Sequence, residues 1–160
     1  SQYCQTIDLI CLFLCVVIMQ KKTAFIVVLS LVCGLGFTHI GWEIYLSSLS
    51  SDNINLVRNL WYMGFALTDF AFVAGCVWMC DKWKLVSDRA TNYILVAYIV
   101  LGFAQVVRYF DRLIIETDQL GWLYGQIVPA LNLGVSVAVL FVTGKLIIQL
   151  SGSTFKGINK

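Results

Sequence analysis

Apolar residues in this chain gather into five long runs separated by short polar breaks, and the pattern predicts five helices. The runs cover residues 3–20, 24–46, 57–80, 92–110 and 125–150. Each approaches the ~20 residues that a helix needs to cross the hydrocarbon core of a bilayer. The breaks are polar: Lys21-Lys22, then Ser47-Ser48-Leu49-Ser50-Ser51-Asp52, then Asp81-Lys82-Trp83-Lys84, then Arg108 with Asp111 and Arg112. Residues 111–124 mix apolar and acidic positions and read as an interfacial loop or short helix, with Trp122 and Tyr124 suited to the headgroup zone. After the fifth run, residues 151–157 are polar and a mobile end is expected. The first run has neither a basic leader nor a small-residue cleavage site, so it is expected to be a retained helix and not a signal peptide.

Within the runs, certain positions share helical faces. On the third, Arg58, Tyr62, Phe65, Asp69, Phe72 and Cys76 recur at the spacing of one stripe. Tyr98, Gly102, Gln105 and Tyr109 do so on the fourth, and Gly125, Pro129, Asn132, Ser136 and Thr143 on the fifth. Aromatic walls with a few converging polar groups describe a ligand pocket better than a wet pore.

Composition agrees with the pattern. At 59% hydrophobic and 12% charged over 160 residues, the chain is unlike a soluble domain, in which about a quarter of residues are charged. The fold class expected is all-α, a polytopic membrane helix bundle forming one domain over residues 1–160. Basic residues fix its orientation. Lys21, Lys22, Lys82, Lys84, Arg89, Lys145, Lys156 and Lys160 fall on one side, against Arg58, Arg108 and Arg112 on the other. The richer side is expected to be cytoplasmic, which puts the amino terminus outside and the carboxyl terminus inside. The host is a plasma, inner or endoplasmic-reticulum membrane. A net charge of +2 spread among loops makes nucleic acid no partner. Partners expected are the bilayer and a lipid-like small molecule, with a homo-oligomer left open. Six cysteines include no C-x-x-C, which removes the main support for a dithiol enzyme. Cys4, Asp8, Cys11 and Cys15 share a face that reads as helix packing.

Ionisable side chains at membrane depth carry the candidate chemistry. His39, the one histidine, stands four residues before Glu43, so both occupy one helical face. Asp69 falls near the middle of the third run, where a carboxylate must be protonated, paired or hydrated. Asp8 and Asn132 are expected at a depth similar to that of His39, and the group could line one cavity closed at Asp69. Each has a plainer reading. His39 and Glu43 could bond to each other or to neighbouring helices, Asn132 could join helices, and Arg58 and Arg108 could anchor the interface or pair with Glu43 or Asp111. A zinc site wants a third protein ligand and a bis-histidine haem a second histidine, which only a second subunit could supply, so no metal is expected.

Gly36-Phe37-x-His39-Ile40-x-x-Glu43, with Gly102-x-x-Gln105, Tyr109 and Asn132, resembles the emopamil-binding, sterol-isomerase-like superfamily. Asp69 follows Glu43 more closely than that family's second acid follows its first. Trp42-Glu43-Ile44-Tyr45, Arg58-x-x-Trp61 with Asp69, and Gln126 with Asn132 and Ser136 are similar to the small membrane terpene cyclases of meroterpenoid pathways. Those cyclases carry a further acidic residue in a final span. Both resemblances imply protonation of an alkene or epoxide in an apolar isoprenoid or sterol, a carbocation, and loss of a proton elsewhere, with no organic cofactor needed. The catalytic residues expected are then Glu43, Asp69 and His39. Asn132, Trp61, Tyr62, Phe65, Gln105 and Tyr109 would bind substrate. The alternatives are a small channel or transporter using Asp69 for a proton or cation, and a non-catalytic subunit or sensor of a membrane complex.

Overall fold

Short connections oblige consecutive helices to run antiparallel side by side, and this chain builds its whole structure that way. A computed structural model describes residues 2–18, 23–49 and 54–158, with the backbone alone for residues 2–5, 16–18 and 149–158. The expected breaks at Lys21-Lys22 and at residues 50–53 lie outside the described residues. The elements are α1 (Gln2–Ile18), α2 (Ala24–Ser48), α3 (Ile54–Lys82), α4 (Arg89–Tyr109) with a π-helical turn at Phe110–Ile114, and α5 (Gly121–Ile158). Four stretches, Ala24–Ser48, Ile54–Lys82, Arg89–Ile114 and Gly121–Ile148, are long and apolar enough to cross a membrane.

Local chemistry sets the helix ends. The Thr23 hydroxyl accepts a hydrogen bond from the Ile26 amide at 3.3 Å, and the Asp88 carboxylate accepts one from the Thr91 amide at 2.7 Å, so each caps its helix. At the end of α3 the Leu85 amide reaches the Cys80 carbonyl and the Lys84 amide reaches that of Asp81, with Lys84 at φ 52°. That is the Schellman closure, with lysine where glycine is usual.

Two expectations need correction. The segment 111–124 begins as a continuation of α4, because the Ile115 amide bonds back five residues to the Phe110 carbonyl in a π turn. Its second half already belongs to α5. Residues 151–157, expected to be polar with a mobile end, continue α5 as helix as far as Ile158, across Gly152 and Gly157.

The helices close into a ring in which α1 packs on α2, α2 on α3, α3 on α4, α4 on α5 and α5 on α1. Side-chain pairs fix their directions. His39 meets Thr68 while Trp42 meets Leu60, so α2 and α3 are antiparallel. Gln105 meets Tyr124 and Tyr93 lies against Gly134, so α4 and α5 are antiparallel too. The closing pair differs. Asp8 meets Ser136 and Cys15 meets Thr143, two contacts of identical register, so α1 runs parallel to α5. One half of the ring is filled by apolar packing that includes Cys11, Phe25, Leu29, Cys76, Ile94 and Val139. The outer surface is apolar as well: Phe13, Phe37, Leu67 and Phe141 are more than 60% exposed. An apolar exterior around polar interior groups is the distribution a bilayer favours.

Candidate functional site

All five helices contribute to one chamber of about 230 Å³ in the half of the ring that holds the amino-terminal parts of α1, α3 and α5. Asp69 forms part of its wall, with its side chain only 3% exposed. Among the described residues its Oδ1 has no hydrogen-bond partner, and it lies 3.6 Å from His39 Nε2, too far for a direct hydrogen bond. His39 Nε2 instead lies 3.0 Å from the Thr68 hydroxyl. Thr68 faces the carbonyls of Gly64 and Phe65 at 3.0 and 2.9 Å, which can only accept, so its single hydrogen goes to them. The Thr68 oxygen therefore accepts from His39 Nε2–H. That bond fixes the imidazole beside Asp69 in the chamber wall, with its ring edge-on to Phe65 at 4.7 Å and Trp61 tilted against Phe65 at 5.1 Å.

Glu43 lines the same chamber from the last turns of α2 and is exposed, with no hydrogen bond or ion pair among the described residues. His39 and Glu43 do not bond to each other; of the plainer readings, the one that ties His39 to a neighbouring helix holds. Asn132 and Gln105 also face the chamber, and Gln105 accepts from the Tyr124 hydroxyl at 2.8 Å.

Two expected substrate-binding residues lie off the chamber. Tyr62 is buried behind the wall, where its hydroxyl accepts from Arg112 at 3.2 Å and its ring meets Tyr124 edge-on. Tyr109 meets the Phe110 ring edge-on, because the inward stripe of α4 passes from Gln105 to Arg108 and leaves Tyr109 to one side. On α5 the expected stripe is turned by about one residue at its start. Gly125 and Pro129 are exposed, and Tyr124 and Val128 take the inward positions that lead to Asn132 and Ser136.

Asp8 lies in the chamber wall on α1, in keeping with its expected depth, although the sequence reading assigns it no catalytic or binding role. Arg108 pairs with Asp111, as the i,i+3 spacing allows, and also with Asp118. Asp111 further accepts from the Thr117 hydroxyl and, at 3.2 Å, from the Leu120 amide. This network ties α4 to the start of α5 beside Tyr124, over whose ring the Arg108 guanidinium lies at 6.0 Å. The hydrogen bond from Arg108 holds the Asp118 carboxyl below its ordinary value of 3.8. Arg58 faces a separate polar groove with Arg112 and Glu116 and makes no ion pair with Glu43 among the described residues. No three metal-ligating side chains gather among the described residues.

Comparisons with family models, curated proteins and solved structures match nothing to this chain. The class that fold and site define is therefore a membrane-type helical bundle with an acid-lined internal chamber.

Proposed function

We propose that the chain is a membrane-embedded acid–base isomerase or cyclase that acts on an isoprenoid, terpenoid or sterol-like lipid through a carbocation. In this reading all five helices cross the membrane, with the amino terminus outside and the carboxyl terminus cytoplasmic. The observation that carries it is Asp69: a buried carboxyl, one oxygen of which has no hydrogen-bond partner among the described residues, in the wall of a chamber lined by Trp61, Phe65, Tyr98 and Tyr124 together with polar and aliphatic side chains, beside a packed apolar core. Such a chamber takes up an apolar molecule and brings it against an acid. The packed core argues against a continuous aqueous path.

Asp69, as the acid, donates its proton to an alkene or epoxide. The faces of Trp61 and Phe65 stabilise the cation that results, and loss of a proton from another carbon restores neutrality without any redox change. Glu43, open at the rim, accepts that proton. His39 stands 3.6 Å from Asp69 and relays a proton back to it, while Asn132 orients the substrate. Product analysis with epoxidised polyprenyl and unsaturated sterol substrates in proteoliposomes tests the reading. Asp69→Asn is expected to lower turnover by about 10²–10⁴-fold, and Glu43→Gln to lower it less. Full turnover in both variants would remove the assigned roles.

A further inference from the structure

Asp8 is the unused acid of the chamber. Its residue is 6% exposed, it faces the same space as Asp69, and it lies on α1, a different wall. One carboxyl oxygen, Oδ2, accepts from the Ser136 hydroxyl at 3.3 Å, which ties α1 to α5. The other, Oδ1, is buried with no partner among the described residues. A tie between helices uses one oxygen and gives no reason for a second acceptor held out of water, where an unmade hydrogen bond is costly. Turning the carboxyl about its Cβ–Cγ bond exchanges its two oxygens, so a donor offered from the chamber, together with the Ser136 hydroxyl, removes the cost.

The neighbouring side chain narrows the kind of donor. Asn132 precedes Ser136 by four residues on α5, so the two stack on one face, and both line the chamber beside Asp8. The Asn132 amide makes no hydrogen bond among the described residues and offers donor hydrogens of its own. An acceptor and a donor one helical turn apart on the same wall suit a group that both gives and receives a hydrogen bond. A hydroxyl does this, giving to the carboxyl and receiving from the Asn132 amide.

We propose that the Asp8 carboxyl and the Asn132 amide together seat the hydroxyl of an apolar alcohol, the polar end of the chamber's ligand. This assignment rests on the reading of the chamber as a lipid-like substrate site and names which functional group that substrate carries. Asp8 fixes orientation: with the hydroxyl held at the α1–α5 wall, the hydrocarbon body extends toward Asp69 and the aromatic rings of α3.

The test uses two probes of one skeleton, all-trans-farnesol and the hydrocarbon β-farnesene, bound to the purified full chain in detergent micelles and followed by tryptophan fluorescence. The unsubstituted protein is expected to bind the alcohol about tenfold more tightly than the hydrocarbon. Asp8→Asn is expected to erase that preference, and Ser136→Ala, which removes the helix tie but keeps the carboxyl, to retain it. Equal binding of the two probes, binding of neither, or a preference that survives Asp8→Asn overturns the assignment. Should Asp8→Asn fail to fold, the unsubstituted protein decides the matter. Dicyclohexylcarbodiimide, which adds to carboxyl groups in apolar surroundings, is expected to label Asp8, with farnesol and not farnesene shielding it; labelling indifferent to farnesol overturns the proposal. An Asp8-dependent preference without turnover of any substrate would sink the enzyme reading and keep this site. Turnover together with a preference unchanged in Asp8→Asn would do the reverse.

Discussion

Two residues hold backbone conformations that their side chains oppose. Lys84 and Glu116 have φ of 52° and 58°, the left-handed region in which a Cβ crowds the following carbonyl. Lys84 ends α3, and Glu116 lies where the π turn after α4 gives way to the connection with α5, next to the Thr117 amide that reaches the Asp111 carbonyl. Glycine at either site removes a penalty of roughly 1 kcal/mol, part of which its greater freedom in the unfolded chain offsets. Lys84→Gly and Glu116→Gly are each expected to raise the thermal midpoint slightly, and unchanged or lower midpoints in scanning calorimetry would count against the argument. Nothing in the residue pattern announces these turns, since neither carries Gly, Asn or Asp at the critical position. By contrast, the placement of Asp69 and His39 around one cavity was legible, because period and depth put both on inward stripes of adjacent antiparallel helices, with Asp69 the deeper. Which atoms touch was not. The bond from His39 to Thr68 depends on the rotation of α2 about its own axis, and the hydrophobic pattern of a helix apolar on every side leaves that rotation undetermined.

Helix-to-helix packing depends on where side chains are missing. A Cβ built on Gly64 would sit 2.5 Å from Trp42 Nε1, so the Trp42 indole lies in the space this glycine leaves on α3, with its N–H given to the Leu60 carbonyl at 3.3 Å. Gly102 receives the Phe70 ring in the same way, its Cβ position 2.9 Å from that ring. Gly75, on the same helix as Gly64, has nothing within 4 Å of a built Cβ. Gly64→Ala is therefore expected to destabilise by about 1–3 kcal/mol through overpacking, and to disturb the α2–α3 wall that holds His39. Gly75→Ala is expected to be neutral or stabilising by up to about 1 kcal/mol, the helix propensity difference. Denaturation of the two variants in one detergent checks this, and equal effects would remove the packing argument. In the sequence Gly64 and Gly75 look alike, two glycines within one apolar run; only the position of Trp42 separates them. The inward stripes of α3 and α4 were legible because several large residues mark them. On α5 small residues on two sides gave the pattern little contrast, and the stripe was displaced at Gly125 and Pro129.

At the scale of the whole molecule, the parallel pairing of α1 with α5 decides the topology. Five alternating helices closed into a ring must contain one parallel neighbour pair, and the register of Asp8 on Ser136 and Cys15 on Thr143 identifies it. The described part of α1 has 17 residues, about 25 Å at 1.5 Å per residue against a hydrocarbon core of about 30 Å. Length alone leaves open whether it crosses or lies within one leaflet. Its direction argues for crossing: a helix held along α5 over two turns, with its buried face on the interior of the ring, follows the same axis as the helices that span. The two ends of the described chain then emerge at opposite ends of the bundle. Short tags fused to each terminus are expected to react with an impermeant reagent from opposite sides of sealed vesicles, the amino-terminal tag from outside. Exposed positions 84 and 116, separated by α4, provide the internal control, because they must differ in sidedness whatever α1 does. If positions 84 and 116 differ while the two termini agree, α1 does not cross. The wall that carries Asp8 would then be open to one leaflet, and the chamber would take its ligand between α1 and its neighbours.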